Sequence, residues 1–430
     1  MPLDSGNTAF VLFSAALVLL MTPGLGFFYG GMVRGRNVLN TLMLSFVTLA
    51  VVGVQWVLVG YSLAFAPGEG WWAPLIGSLR WAGLQGVGLL PEPAYAASIP
   101  HLAYMAFQAT FAIITPAIIS GAVVERIHFR AYAAFTALWA TLVYAPIAHW
   151  VWGAGGWLKG LGALDFAGGT VVHVAAGVSA LVAAAVVGSR SRPAPVASQG
   201  YQVPFVLLGA ALLWFGWFGF NGGSALEAGG VAALAIATTN AAAAAGALAW
   251  MALEGWRERK VTVVGGASGA VAGLVAITPA AGFVSPMAAL AIGALSAVAC
   301  AYAVAWNRQR LRIDDSLDAF SVHGVGGVLG AVLTGVFANK ALNPAGADGL
   351  LHGHAGLLGV QLLAVAAVAA YAMLGTWLIL KVLDAAMRLR VPEAVEAEGL
   401  DRHQHGSQLG TARLAELEHP SGPRPAAGSF

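Results

Sequence analysis

Long apolar runs follow one another along the chain, and each run is closed by a few polar residues or by Gly and Pro. A run of about 20 apolar residues spans the hydrocarbon layer of a bilayer as an α-helix. The runs therefore predict eleven membrane-spanning helices. The predicted spans are 7–32, 38–65, 100–124, 130–154, 168–188, 202–222, 228–253, 262–281, 285–306, 320–338 and 354–386. We expect an all-α integral membrane protein.

The positions of Lys and Arg indicate how these spans are oriented, because short cytoplasmic loops are enriched in both residues. Basic residues cluster in every second loop and in the tail: Arg34/Arg36, Arg126/Arg130, Arg190/Arg192, Arg257/Arg259/Lys260, Arg308/Arg310/Arg312 and Lys381/Arg388/Arg390. Only Arg80, Lys159 and Lys340 occur in the other segments. An odd number of spans then places the N-terminus outside and the C-terminus in the cytoplasm.

The boundaries of the apolar runs divide the chain into two parts. Residues 1–390 form the predicted transmembrane domain, and residues 391–430 form a polar cytoplasmic tail that we expect to be partly disordered. The segment 67–100 is rich in Gly, Trp and Pro and reads as an external loop. Asp4 is the one charged residue before the first apolar run, which argues against a cleaved signal peptide.

A weak internal repeat relates the first and sixth spans and the fifth and tenth spans. The sequence 28–31, Phe-Tyr-Gly-Gly, closes the first span as 220–223, Phe-Asn-Gly-Gly, closes the sixth. A step of five spans reverses the direction across the membrane. This pattern predicts two inverted five-helix repeats, with the eleventh helix peripheral and a shared site near the bilayer midplane.

Two of the ten histidines lie deep within predicted spans, whereas the others lie at span ends, in loops or in the tail. His173 belongs to the fifth span and His323 to the tenth, at corresponding places in the two halves. A single intramembrane histidine can be a packing residue. A symmetric pair favours a functional pore, because the pseudo-twofold axis would bring the imidazoles together.

Two carboxylates precede these histidines near the starts of their spans. Asp165 lies eight residues before His173, and Asp318 lies five residues before His323. Asp165 could cap the fifth helix or act directly on a substrate, and the sequence favours neither. Asp318 follows a cluster of arginines, so an ion pair is the simpler interpretation there.

Aromatic side chains recur near the outer ends of several spans, where most such residues are interfacial anchors. They include Phe107 and Phe111 in the third span, Trp152 at the end of the fourth, and Trp217 and Phe220 in the sixth. An aromatic face can also bind a small monovalent cation without a fixed counter-charge. The hydroxyl of Ser224 could add one acceptor.

Several long strings of residues resemble the ammonium transporter family (Amt/Mep/Rh), in its bacterial Amt form. They are 21–25 with 27–31, 107–108 to 125–127, 165–173, 217–221 and 315–324, in that order along the chain. The resemblance extends from Thr8 to His405. It implies an ammonium transporter, not an enzyme, in a plasma (bacterial inner) membrane, with no cofactor and no metal site.

The resemblance also implies a role for individual residues. Phe107, Trp152 and Ser224 would form an outer ammonium-recruitment site, Phe111 and Phe220 the gate beneath it, and His173 and His323 the twin histidines of the pore. Asp165, Gln108, Trp217 and Asp318 would support these groups. We expect ammonium to lose its proton near the gate, ammonia to cross along the histidines, and the proton to be relayed separately.

The family implies partners as well. Its members form homotrimers with one pore per subunit and carry methylammonium as well as ammonium. Their tail carries a Gly-Leu-Asp stretch, a His-Gly pair and then a tyrosine. This chain keeps 399–401 and 405–406 but lacks the tyrosine, which leaves a PII-type signalling protein as a candidate partner only.

Other classes of function predict different properties. A membrane b-type cytochrome would use the two histidines as axial haem ligands and would give a Soret band. A gas channel or an ammonium sensor on the same scaffold would differ in the currents it carries. The net charge of +2 does not favour nucleic acid as a partner.

Overall fold

A computed structural model describes residues 3–191, 202–407 and 409. The described part of the chain is helical and contains no β-pairing beyond two isolated bridges. Its helices are α1 Ser5–Gly30, α2 Gly35–Phe65, α3 His101–Ser120, α4 Phe129–Gly160, α5 Gly169–Val187, α6 Val203–Ala225, α7 Gly230–Glu258, α8 Val263–Ile277, α9 Pro286–Leu311, α10 Phe320–Phe337 and α11 Ala355–Ala386. Two short helices follow, α12 Glu393–Glu398 and α13 Leu400–His405.

Each of the eleven predicted spans coincides with one of the helices α1–α11, which confirms the predicted all-α membrane architecture. Ten of these helices in the described residues are long and apolar enough to cross a membrane. The other, α8, is a 15-residue helix, roughly 22 Å at 1.5 Å per residue. The helical form satisfies every backbone group within its own segment, as a chain surrounded by lipid requires. The side of the membrane on which the N-terminus lies stays a prediction. We call the end of the helix bundle that carries the N-terminus the outer end, and the opposite end the inner end.

The two histidine-bearing helices, α5 and α10, cross at glycines in a reciprocal way. A Cβ atom on Gly177 would lie 2.1 Å from the backbone nitrogen of Gly324, and one on Gly327 would lie 2.9 Å from the backbone nitrogen of Val174. Each of these glycines follows the histidine of its own helix by four residues. This reciprocity is the relation that two inverted halves predict. It also requires glycine, because no side chain fits between the backbones.

Part of the predicted tail packs against the inner end of the helices. The backbone nitrogen of Leu400 donates to Asn37 Oδ1 at 2.8 Å, and the carboxylate of Asp401 accepts from the backbone nitrogens of Leu39 and Asn40. Leu400 and Asp401 are fully buried. The division at residue 390 stays a prediction, and Arg192 and residues 410–430 lie outside the described residues.

Partly buried ion pairs join the loops at the inner end. Arg190 lies 2.7 Å from a carboxylate oxygen of Glu125 and 2.8 Å from one of Asp314. Burial alone would raise the pKa of Glu125, but the charge of Arg190 and a hydrogen bond from Asn37 lower it overall. The hydrogen bond and charge of Arg190 likewise outweigh burial and lower the pKa of Asp314. The clustering of basic residues at this end therefore has a structural role as well.

Replacing Gly177 by Ala should destabilise the protein by about 1–3 kcal/mol, because the added methyl group must push α5 and α10 apart. A fall in the thermal unfolding midpoint of detergent-solubilised protein would measure this cost. Gly359 in α11 is the matched control, since nothing lies within 4 Å of a Cβ built there. A midpoint for Gly177→Ala equal to that of Gly359→Ala would contradict the close crossing.

Candidate functional site

The structure brings the two predicted pore histidines into direct contact. The Nδ1 atoms of His173 and His323 are 3.3 Å apart, and the ring centroids are 5.3 Å apart. Both side chains are buried, at 1% and 5% exposure. Two ring nitrogens can form a hydrogen bond only if one carries the proton and the other accepts it. The pair therefore shares a single proton along this contact.

The surroundings of the histidine pair are apolar and narrow. A cavity of about 10 Å³ lies beside the two rings, and its other lining residues are Met21, Leu25, Ile114, Ile118, Val172, Leu213, Trp217 and Phe220. That volume is about the size of one water molecule. A haem macrocycle does not fit there, which removes the cytochrome alternative. The Nε2 atom of His173 is buried without a hydrogen-bond partner in the described part of the chain.

Two aromatic residues cover His173 on the side of α6. Trp217 stacks on the imidazole with the ring centroids 5.5 Å apart, and Phe220 stacks on it at 6.0 Å. The indole nitrogen of Trp217 donates to Thr278 Oγ1 at 2.9 Å, which fixes the ring in this position. Towards the outer end, Phe220 also packs against Phe111, with the ring centroids 4.3 Å apart. These two residues are the predicted gate, and we call them the ring pair. The rings close the apolar cavity from the outer end.

An outer cavity of about 170 Å³ lies on the far side of this ring pair. Its lining includes the predicted residues Trp152, Ser224, Gln108 and Phe111. The hydroxyl of Ser224 donates to the backbone oxygen of Phe220 at 2.8 Å, so its oxygen still offers lone pairs as an acceptor. The cavity combines aromatic faces with a few acceptors, which is suitable chemistry for a small monovalent cation.

Phe107 is not among the residues that line the outer cavity. Its ring packs edge-on against Phe111 at 4.9 Å, and it is fully buried. A Cβ atom on Gly223 would lie 2.8 Å from it. Phe107 therefore supports the ring pair from behind, and the structure does not place it in the cavity beside Trp152 and Ser224.

Asp165 acts as the N-terminal cap of α5. Its carboxylate accepts from the backbone nitrogens of Gly168, Gly169, Thr170 and Val171 at 2.5–3.1 Å, and also from the Thr170 hydroxyl. Five donors occupy the lone pairs of both oxygens. Of the two interpretations that the sequence left open, capping is therefore the one that the geometry supports.

The counterpart of Asp165 in the second half is Asp315. The prediction that Asp318 is this counterpart was wrong. The Asp315 carboxylate accepts from the backbone nitrogens of Ala319 and Phe320 at 3.0 and 2.8 Å, at the start of α10. Asp318 pairs with Arg308 at 2.6 Å, as the ion-pair interpretation expects. The spacing along the sequence indicates Asp315, because it precedes His323 by eight residues, just as Asp165 precedes His173 by eight.

Burial changes the protonation of Asp315. Burial, together with the nearby charge of Asp318, raises the pKa of Asp315 to about 7, against hydrogen bonds from Phe320 and Ala319 that lower it. Burial also raises the pKa of Asp318, against the charge of Arg308. The cap of α10 therefore titrates near neutral pH.

Several residues that line the outer cavity were not singled out from the sequence, among them Tyr104 and Lys159. Tyr104 lies on α3, one turn before Gln108, and Lys159 lies at the end of α4. The spacing from Tyr104 to Gln108 places both side chains on one face of the helix. Lys159 was visible as one of the few basic residues in an outer segment.

Comparison with known proteins shows that the chain is similar to one family over most of its length. The model of the Ammonium Transporter Family matches residues 9–409. An ammonium transporter of Bacillus subtilis is 50% identical, over 94% of this chain and 98% of its own. The crystal structure of Saccharomyces cerevisiae Mep2 is 39% identical, with a TM-score of 0.83 over 91% of this chain and 88% of its own. A structure described as a sensor Amt protein is 31% identical, with a TM-score of 0.83 over 93% and 98%.

Replacing Asp165 by Ala should destabilise the protein by about 3 kcal/mol or more. Several buried donors at the start of α5 lose their acceptor, and each costs about 1–3 kcal/mol. The thermal unfolding midpoint in detergent measures the loss. Asp384→Ala, at an exposed carboxylate of α11, serves as the control and should leave the midpoint nearly unchanged. Equal midpoints for the two variants would exclude the capping role.

The protonation of Asp315 predicts a pH dependence of stability. Its pKa is raised from 3.8 in the unfolded chain to about 7 in the fold. The Asp315 carboxyl therefore binds more protons in the folded state between these values, and its contribution to stability is lost as the pH rises from about 4 to 7. Asp315→Asn should make the fall in stability with rising pH smaller, with a share from Asp318 remaining because its pKa is also raised, whereas Asp384→Asn should keep the whole fall. Parallel curves of unfolding midpoint against pH for wild type and Asp315→Asn would be the opposite result.

Proposed function

The chain belongs to the ammonium transporter family, and from that premise we propose how its residues carry ammonium across the membrane. Ammonium transport is its function, and it is a multi-pass transporter of the plasma membrane, not an enzyme. In the proposed mechanism the outer cavity binds ammonium, and the ion loses a proton beside the ring pair. Ammonia then crosses beside the histidines. The proton follows by a separate route.

The outer cavity would bind ammonium through aromatic faces and single acceptors. Phe111 and Trp152 offer ring faces, and Ser224 offers a hydroxyl oxygen. The Oε1 atom of Gln108 is buried without a partner among the described residues, so it is free to accept from an incoming N–H. Phe107 would contribute by holding Phe111 in place. A cation–π contact is worth about 2 kcal/mol when it is desolvated.

The energy of a bare ion decides what can pass beyond the rings. Moving an ammonium-sized ion into a medium of low dielectric constant costs on the order of 20 kcal/mol in the idealised limit. A few cation–π contacts cannot offset that cost. Ammonia carries no charge, so the penalty on it is far smaller. Potassium has no proton to lose and would be excluded.

The observation that carries the proposal is the contact between His173 and His323 inside an apolar cavity. Ammonium would break one N–H bond near Phe111 and Phe220 and give ammonia and a proton. The proton would pass to the imidazole pair, which can hand it on by exchanging which Nδ1 carries the hydrogen. Ammonia and the proton would recombine at the inner end, so one positive charge moves per cycle.

We extend the proposal to partners and substrates on the basis of family membership. Methylammonium would share the pathway. A homotrimer with one pore per subunit would be the working form, and the packed segment α12–α13 would lie at its inner face. A PII-type signalling protein is a candidate regulator at that face.

A second candidate role is that of an ammonium sensor. It is favoured by the similarity to a structure described as a sensor Amt protein. A sensor would bind ammonium in the outer cavity without a sustained current. Ammonium-driven currents in proteoliposomes therefore separate the two roles.

Replacing His173 or His323 by Ala should abolish the ammonium current or admit potassium, because the proton relay is broken and the enlarged cavity can hold water. Currents from proteoliposomes exposed to ammonium or potassium gradients measure both effects. The exposed His352 at the outer end provides the control His352→Ala, which should behave as wild type. Unchanged current and unchanged selectivity in both pore variants would refute the proposed mechanism.

A further inference from the structure

The side chain of Lys159 reaches the mouth of the outer cavity and is one of its lining residues. Its Nζ donates to the backbone oxygen of Trp152 at 3.0 Å. The same nitrogen lies 5.8 Å from the ring centroid of Tyr95, within the range of a cation–π contact. Both partners also border the cavity, so the charged group is held beside the proposed recruitment site.

The amine of Lys159 is chemically a substituted ammonium ion. It uses a carbonyl oxygen and an aromatic face, which are the two kinds of group that a free ammonium ion would use in the same cavity. Trp152 is one of the residues proposed to recruit the substrate. A free ion and the tethered amine would therefore compete for similar partners at close range.

No carboxylate neutralises this amine within the described ranges 3–191 and 202–407. None of the ion pairs there includes Lys159. The nearby carboxylate of Asp165 is enclosed by its five donors at the start of α5. No neighbouring carboxylate therefore offsets the positive charge of Lys159, which is solvent-exposed and acts on the cavity through water.

We infer that Lys159 sets the apparent affinity for ammonium, as a tethered competitor that raises the external concentration needed for half-maximal transport. This inference rests on the proposed function, since it assigns a role at the same recruitment site. Lys159 would weaken binding before deprotonation and leave the later steps unchanged. Its removal should therefore change the half-saturating concentration and not the maximal current.

The experiment compares ammonium currents of full-length wild type, Lys159→Met and Lys159→Arg in proteoliposomes over a range of ammonium concentrations. Lys159→Met removes the charge and keeps much of the side-chain volume, and we expect its half-saturating concentration to fall about fivefold. That is the factor by which a like charge at about 4 Å acts in water. Lys159→Arg keeps the charge and should stay close to wild type. Lys340→Met, at an exposed basic residue outside the cavity, is the control and should match wild type.

The outcomes separate this inference from the function on which it rests. A wild-type protein without an ammonium current would contradict the proposed function. A wild-type current with an unchanged or higher half-saturating concentration in Lys159→Met would overturn the role of Lys159 alone. A fall of equal size in Lys340→Met would also overturn it, because the effect would then belong to general surface charge.

Discussion

The cost of removing a charge from water is the constraint on which this protein depends. The cavity beside His173 and His323 is lined by aliphatic and aromatic side chains, and it is about the size of one water molecule. An ion cannot keep its hydration shell there, and the ring nitrogens of the two histidines are too few to replace it. Because an intact ion cannot be dehydrated there, the proposal divides ammonium into ammonia and a proton. That division requires a buried group that can accept the proton. The imidazole pair is the group that the fold supplies at this place.

Packing between the two halves of the fold sets the geometry of that pair. Gly177 and Gly327 allow α5 and α10 to cross with their backbones in contact, and each glycine lies one turn beyond its histidine. Asp165 and Asp315 cap the starts of the same two helices, each eight residues before its histidine. Caps and crossing together fix the backbones from which the two imidazoles project, and the stacked rings of Trp217 and Phe220 restrict rotation of His173. Such rigidity favours a hydrogen bond that persists between the two rings.

Much of the architecture could be predicted from the sequence, because apolar length and the distribution of Lys and Arg are constraints that the bilayer imposes on each segment separately. The pairing of His173 with His323 could be predicted for a related reason, since few titratable residues occur in the middle of spans and these two lie at corresponding places in the two halves. The choice between Asp315 and Asp318 could not be made from charge alone, because it depends on which carboxylate reaches the first N–H groups of α10. The place of Phe107 behind Phe111 and that of Lys159 over Tyr95 depend on side-chain packing between distant segments. No local pattern encodes such contacts.

The separate passage of ammonia and proton is the central claim, and the effect of heavy water on the ammonium current tests it most directly. If an N–H bond breaks and the proton then moves between imidazoles, replacing hydrogen by deuterium slows both steps. The account predicts that the current through wild-type protein in proteoliposomes falls far more in heavy water than the higher viscosity of that solvent explains. A current that falls only in proportion to viscosity would mean that the ion crosses intact, and would contradict the account.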